Sequence, residues 1–230
     1  MALPLLESLA ARQGFPLSES QIAACEAYRA DLYEVNEVTN LTRIPFEEAD
    51  AKHFADSLLV SEFIPKGANV LDIGPGPGFP AWVLACCRPD LEITALDSAN
   101  KAIRFIERHP LANLKTKLAR AEDNVHHEHY DVVIGRAVAP FAVQTEISAA
   151  WIKIGGQFIP FRTPTESEEI EQFPAAQLGL KLTEIKEIDL PGTDIVRLFP
   201  IFEKVKATNP EFPRQWGRIK AKPLQNPAKS

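Results

Sequence analysis

Cysteine is scarce in this sequence, with only Cys25, Cys86 and Cys87 among 230 residues. The count is odd, and the adjacent pair has neither the spacing of a disulfide framework nor that of a zinc site. All three are read as reduced packing residues. Long apolar runs are missing too. The longest charge-free stretch, Ile73 to Cys87, is broken by three glycines and three prolines. It falls short of the roughly 20 apolar residues a spanning helix needs, so no membrane segment is expected. Met1 to Leu6 contain no basic residue. A secretory signal is therefore not expected, and a cytoplasmic location follows. Neither an internal repeat nor a low-complexity block is present.

What is there resembles an ordinary globular composition, 45% apolar and 24% charged, which excludes wholesale disorder. The net charge is −6, but residues 204–230 carry seven basic side chains against one acidic, so this stretch is +6 and residues 1–203 sum to −12. An acidic body with a basic, proline-rich tail points to a tail that meets phosphates, the plain alternative being a solvated terminus.

Before residue 66 the pattern is helical. Ser18 is placed to cap a helix in which Ile22, Cys25, Tyr28, Leu32 and Val35 recur at helical spacing. Pro45 stands at a first helical position before Phe46 to Ile64. From Ala68 onward short apolar runs alternate with helical stretches. Strands are expected at Asn69 to Ile73, Leu91 to Leu96, Leu114 to Ala119, Tyr130 to Ile134 and Gln157 to Phe161. Helices are expected between them at Trp82 to Cys87, Lys101 to Arg108 and Val143 to Ile152. Connections of that length require parallel strands with right-handed crossovers, a doubly wound α/β sheet. Lys181 to Ile188 and Ile195 to Lys204 read as a closing antiparallel hairpin around Pro191-Gly192.

The densest signal is Val70 to Pro80, V-L-D-I-G-P-G-P-G-F-P: a strand, a glycine turn, then a helix. Glycines there let the backbone approach a ligand at the helix N-terminus. Gly74, Gly76 and Gly78 form G-x-G-x-G, and Phe79 stands where a dinucleotide fingerprint has its third glycine. Pro75 and Pro77 remove N–H donors, so a ligand without phosphates fits better. Asp97 follows 23 positions after Gly74, at a strand end where a carboxylate can accept from both ribose hydroxyls. Asp72, the turn and Asp97 together have the form of an S-adenosylmethionine site of the class I methyltransferase fold. An NAD-linked oxidoreductase would use the same strand, turn and helix, and titration with NADH against S-adenosylmethionine separates the two.

The chain resembles the glucose-inhibited division protein B family, bacterial methyltransferases acting on guanine N7 in 16S ribosomal RNA. The resemblance covers nearly the whole chain. It rests on N-L-T at Asn40 to Thr42, H-F-A-D-S-L at His53 to Leu58, the glycine turn, and L-D-S at Leu96 to Ser98 with Lys101. R-A-E at Arg120 to Glu122, G-R-A at Gly135 to Ala137, and a tail with P-R-Q-W-G and K-A-K-P-L between Pro213 and Leu224 extend it. The resemblance implies cofactor contacts at Gly74, Phe79, Ala121, Glu122 and Arg136, beside Asp72, Gly76, Gly78, Asp97 and Ser98. Asp97 would hold the ribose, Ala121 and Glu122 the adenine, and Arg136 the methionine carboxylate. It also implies recognition residues at Asn40, His53, Asp56 and Ser57, with Lys101. Arg162, Arg214, Arg218, Lys220 and Lys222 would meet RNA, with Trp216 or Phe212 stacking on a base.

The expected organisation is a helical region over 1–66, a methyltransferase core over 67–206 and a basic tail over 207–230, acting as a monomer on 16S ribosomal RNA or the small subunit. No metal is expected, since His126, His127 and His129 around Glu128 lack the i, i+4 spacing of helical zinc ligands. Two departures from the family pattern stand out. Ala81 replaces a glycine after Pro80, and P-F-R-T-P at Pro160 to Pro164 replaces the Lys-Gly usual after the fifth strand. Pro160 is expected to interrupt that strand. A methyltransferase for another RNA position or a small molecule, and a non-catalytic RNA-binding assembly factor, remain open at this point.

Overall fold

The protein is described by a computed structural model covering residues 2–123 and 129–225. Two helices, α1 (Pro4–Arg12) and α2 (Glu19–Thr39), open the chain. Ser18 caps α2 in a reciprocal capping box with Gln21, and Asn40 ends the helix in the left-handed conformation, φ 49°. Residues 46–63 are helical throughout but not uniform. A 3₁₀ turn (Phe46–Glu48) is followed by a π-helical stretch (Asp50–Ala55), the short α3 (Asp56–Leu58) and a second 3₁₀ stretch (Leu59–Phe63). Pro45 precedes the first turn in an extended conformation rather than entering it.

The remainder builds one seven-stranded sheet from β1 (Asn69–Ile73), β2 (Glu92–Asp97), β3 (Leu114–Leu118), β4 (Tyr130–Arg136), β5 (Ile152–Phe161), β6 (Leu180–Asp189) and β7 (Val196–Lys204). The order is β3-β2-β1-β4-β5-β7-β6, parallel except for β7, which runs antiparallel to both β5 and β6. Helices α4 (Ala81–Cys87), α5 (Asn100–Glu107) and α6 (Phe141–Ala149) make the crossovers. The short α7 (Ser167–Gln172) follows β5, and α8 (Trp216–Ala221) closes the described chain. One apolar cluster joins α1, α2, residues 54–64, α4 and part of α5 to one face of the sheet. The other face packs against α6, residues 170–180 and the C-terminal segment, with Ile219 buried.

Two further sequence expectations need correction. The helix expected to reach Ile152 stops at Ala149, and Ile152 already pairs with Tyr130. A bulge then shifts the register so that Val132 meets Gln157. Gly155 absorbs the irregularity with φ 81°, and Gly156 lies so close to the Asp131 carbonyl that no side chain fits. Pro160 does not interrupt β5, which runs on to Phe161 with Pro160 paired to Gly135. The reason lies on the neighbouring strand. Gln157 and Phe158 pair with Glu203 and Phe202, and Arg162 with Leu198, a register that sets Pro160 opposite Pro200. Two residues without N–H face each other, and the ladder resumes with reciprocal Arg162–Leu198 hydrogen bonds of 2.9 Å.

His126, His127 and Glu128 lie outside the described residues. His129 leads into β4, its N–H donating to the Trp151 carbonyl. Among the described residues no helix is long and apolar enough to cross a membrane.

Candidate active site

Strand β1 lies between β2 and β4, so the crossovers leave it in opposite directions and open a crevice at its carboxyl end. Register brings Ile73 beside Leu96, Asp97 beside Leu118, and Asp72 beside Ile134. The glycine turn bridges this crevice. Gly74, Gly76 and Gly78 all have positive φ, at 68°, 54° and 92°. Only glycine adopts such angles routinely.

Each backbone donor of the turn already has an acceptor. Gly74 N–H reaches Leu96 O at 2.8 Å, and Gly76 N–H reaches Asp97 Oδ2 at 3.0 Å. Gly78 and Phe79 both donate to Pro75 O, at 3.1 and 2.9 Å. Pro75 and Pro77 have none to give. Tyr28 on α2 secures the outside of the turn, its hydroxyl donating to Pro77 O at 2.8 Å while its ring stacks on Trp82, 3.9 Å between centroids. A methyl group on Gly78 would collide with that hydroxyl and with Trp82.

A cavity of about 320 Å³ opens beside the turn. Of the residues expected at a cofactor, Gly74, Gly76, Asp97, Ser98, Ala121 and Glu122 line it. Leu96, Val138 and Ile147 add apolar wall, and Arg120 and Trp216 complete the rim. Asp97 keeps Oδ1 on the Ala99 N–H at 2.8 Å, yet each carboxylate oxygen retains a further lone pair. Ala137, which lines the same cavity, holds φ 55°, an uncommon angle for a residue with a side chain.

Four other expected cofactor residues sit outside that lining. Gly78 supports the turn. Phe79 is buried, with the His53 ring stacked on it at 4.2 Å and Phe54 edge-on. Asp72 is fully buried, accepts the Ala81 N–H at 2.8 Å and leaves Oδ1 without a partner. Burial pushes its pKa to about 8, against the opposing pull of the Ala81 N–H and Arg136. Arg136, expected on a methionine carboxylate, donates instead to Asp56 Oδ2 at 2.6 Å and Lys52 O at 2.8 Å.

Asp56 has a second guanidinium. Arg197 on β7 reaches Oδ1 through Nε at 2.7 Å and Oδ2 through Nη2 at 2.9 Å. Two cations on one buried carboxylate leave a net positive group beside the turn. His53 adjoins it, with Nδ1 3.5 Å from Arg136 Nη2 and Nε2 2.8 Å from Thr42 Oγ1. Arginine only donates, so Nδ1 is the acceptor and Nε2 carries the proton. Burial and then Arg136 lower the His53 pKa to about 3, which keeps the ring neutral. Ser57 donates to His53 O at 2.5 Å. Lys101 fastens the end of α2, donating to Thr39 O and Asn40 O at 3.0 and 2.8 Å.

Two of the expected RNA contacts are engaged elsewhere. Arg162 is buried, bonded to Gln144 Oε1, Glu166 Oε1 and Ala139 O. Arg214 is held by the buried carboxylate of Glu146. Arg218, Lys220 and Lys222 remain exposed. The sequence marks Tyr28 only as part of an apolar helix face and does not mark Arg197 or Glu146. Nothing local marks Arg197, whose partner lies 141 positions earlier.

A family model described as rRNA small subunit methyltransferase G matches residues 21–190. The Ribosomal RNA small subunit methyltransferase G of Lactobacillus delbrueckii subsp. bulgaricus is 37% identical over 228 residues, covering 93% of this chain and 95% of that one. Its namesake from Lachnoclostridium phytofermentans is 38% identical, with 93% and 92% covered. Among solved structures, M. jannaschii TYW2 in complex with AdoMet aligns with TM-score 0.52 at 17% identity, over 64% of this chain and 72% of that one. The ribosomal protein L11 methylase of Lactobacillus delbrueckii subsp. bulgaricus aligns with TM-score 0.52 at 14% identity, over 72% and 83%. The structural likenesses establish the class I methyltransferase fold. With a matching family model over most of its length and relatives of this identity, the chain belongs to the rRNA small subunit methyltransferase G family.

Proposed function

We propose that this protein transfers the methyl group of S-adenosylmethionine to N7 of a guanine in 16S ribosomal RNA. The observation that carries the cofactor assignment is the state of the glycine turn. All its N–H groups are engaged and the cavity beside it holds the carboxylates of Asp97 and Glu122. A pyrophosphate would find no free backbone donor in the turn and two carboxylates, while the guanidinium on the rim, Arg120, is already paired with Glu122 at 3.3 Å. A nucleoside without phosphate that carries a positive charge suits the same walls, the purine against Leu96, Ala121, Val138 and Ile147, and hydroxyl donors on Asp97. NAD is disfavoured on the same ground.

S-adenosylmethionine supplies an electrophilic methyl group when bound. Guanine N7 has a free lone pair, so the protein is not required to remove a proton, and no general base is assigned. The work of its side chains is alignment, which can supply roughly 7 to 11 kcal/mol. His53 is neutral and fully bonded, consistent with a positioning role. The Arg136–Asp56–Arg197 group gives the strand ends a positive edge suited to RNA phosphate. In this reading the exposed Asn40 stands at that edge, the buried His53, Asp56 and Ser57 position it from behind, and the exposed Arg218, Lys220 and Lys222 extend it. The reading makes the protein a cytoplasmic monomer acting without a metal, with a helical region over 1–66, the core over 67–206 and a basic tail over 207–230.

The test is transfer from labelled S-adenosylmethionine to small ribosomal subunits from a strain lacking the family enzyme, with the modified base mapped. Label on guanine N7 of 16S RNA is expected, falling at least tenfold in Arg136→Ala, a variant in which Asp56 keeps Arg197. Cofactor binding without label in the wild-type protein would move the assignment to another substrate or to a non-catalytic role.

A further inference from the structure

The candidate cofactor cavity takes one wall from a segment far along the chain. Trp216, the first residue of α8, lines it together with Gly76, Asp97, Ala121 and Ile147. The Arg120 guanidinium lies 5.9 Å from the centre of the indole, and the next two residues, Ala121 and Glu122, line the same cavity. The segment is firmly docked. Arg214 donates to Glu146 on α6 from its backbone N–H, Nε and Nη2, at 2.9, 2.9 and 2.6 Å. Glu146 is fully buried, so its carboxylate depends on that partner. Ile219 is buried, and Phe212 and Leu224 pack on the same apolar cluster.

A tryptophan expected to stack on an RNA base is thus half-buried between Arg120 and the cavity. Its neighbours Arg218, Lys220 and Lys222 are the exposed ones. Resting on the reading of this cavity as the adenosine site, we propose that Trp216 is a cofactor-binding residue whose indole packs against the purine. The docked C-terminal segment and the cofactor then stabilise one another. Linkage makes this reciprocal: whatever affinity the segment adds for the cofactor, the cofactor adds for the docked segment.

The test uses the full chain with S-adenosylmethionine and with S-adenosylhomocysteine. By calorimetry, Trp216→Ala binds about tenfold more weakly, in line with the loss of one stacked aromatic, and Trp216→Phe stays within about threefold of wild type. Cofactor quenches tryptophan emission in the wild-type protein, and most of the change is lost in Trp216→Phe, because Trp82 and Trp151 are buried and Trp151 meets the site only through its Nε1 bond to Ala121 O. Trypsin cleavage at Arg218 and Lys220 slows when the cofactor saturates.

Unchanged affinity in Trp216→Ala, or quenching as large in Trp216→Phe as in the wild-type protein, overturns the assignment. So does an alanine variant that keeps cofactor affinity and loses RNA binding, which would return the indole to base stacking. Should Trp216→Ala fail to fold, the phenylalanine variant and the wild-type digestion decide alone. Wild-type protein that binds no cofactor overturns the functional reading and this inference with it.

Discussion

Asp56 has no exposed surface and holds two guanidinium groups at hydrogen-bond distance. Its removal leaves Arg136 and Arg197 facing each other without a counter-charge. Asp56→Ala is expected to cost about 3–5 kcal/mol, measured by urea unfolding. Two further residues give opposite pH signatures. Asp72 is raised from 3.8 to about 8 by burial, so the folded protein keeps a proton the unfolded chain has released. Stability therefore falls as pH rises through that interval, and Asp72→Asn removes the slope. His53 is lowered from 6.5 to about 3, so the folded protein refuses a proton the unfolded chain accepts. Stability is lost as pH falls through that range, and His53→Gln flattens the acid side. Melting temperature against pH reads both. The positions of Asp72 and His53 are visible in the sequence, in the strand before the turn and in H-F-A-D-S-L. Their protonation is not, because it depends on burial by elements distant along the chain.

The glycine turn is an element held from outside as well as within. Tyr28→Phe deletes the bond to Pro77 O, which is expected to cost about 1 kcal/mol and to weaken cofactor binding. Gly78→Ala drives a methyl group into the same hydroxyl and should destabilise by about 1–3 kcal/mol. Combining the two relieves part of the clash, so their costs in a thermal-unfolding cycle should not add. The turn itself was legible because strand, glycines and helix follow one another within a dozen residues. Strand β1 matches its expected span for the same local reason. Strand β5 was misjudged at Pro160 because the residue that makes it tolerable, Pro200, stands on β7. The π-helical stretch over Asp50–Ala55 was missed because three- and four-residue spacings do not distinguish it from an α-helix.

Charge is organised at the scale of the molecule, an acidic body with a basic C-terminal stretch. That division is legible in composition. Which cations are free is not, since Arg214 answers Glu146, 68 positions away. RNA binding should therefore lose salt dependence at Arg218, Lys220 and Lys222. Each alanine substitution that removes a phosphate contact should lower the slope of log affinity against log salt by about 0.7 to 0.9, read from filter-binding titrations. The cavity carries a kinetic consequence. Its walls run from Ile73 to Ile147 and are completed by Trp216. A ligand selective for the finished enclosure meets it only in states where the last segment has docked, and a transition state in which that segment is still loose would not bind it. Added S-adenosylmethionine should then depress the unfolding arm of the chevron and leave the refolding arm where it was, lengthening the lifetime of the native state without hastening its formation.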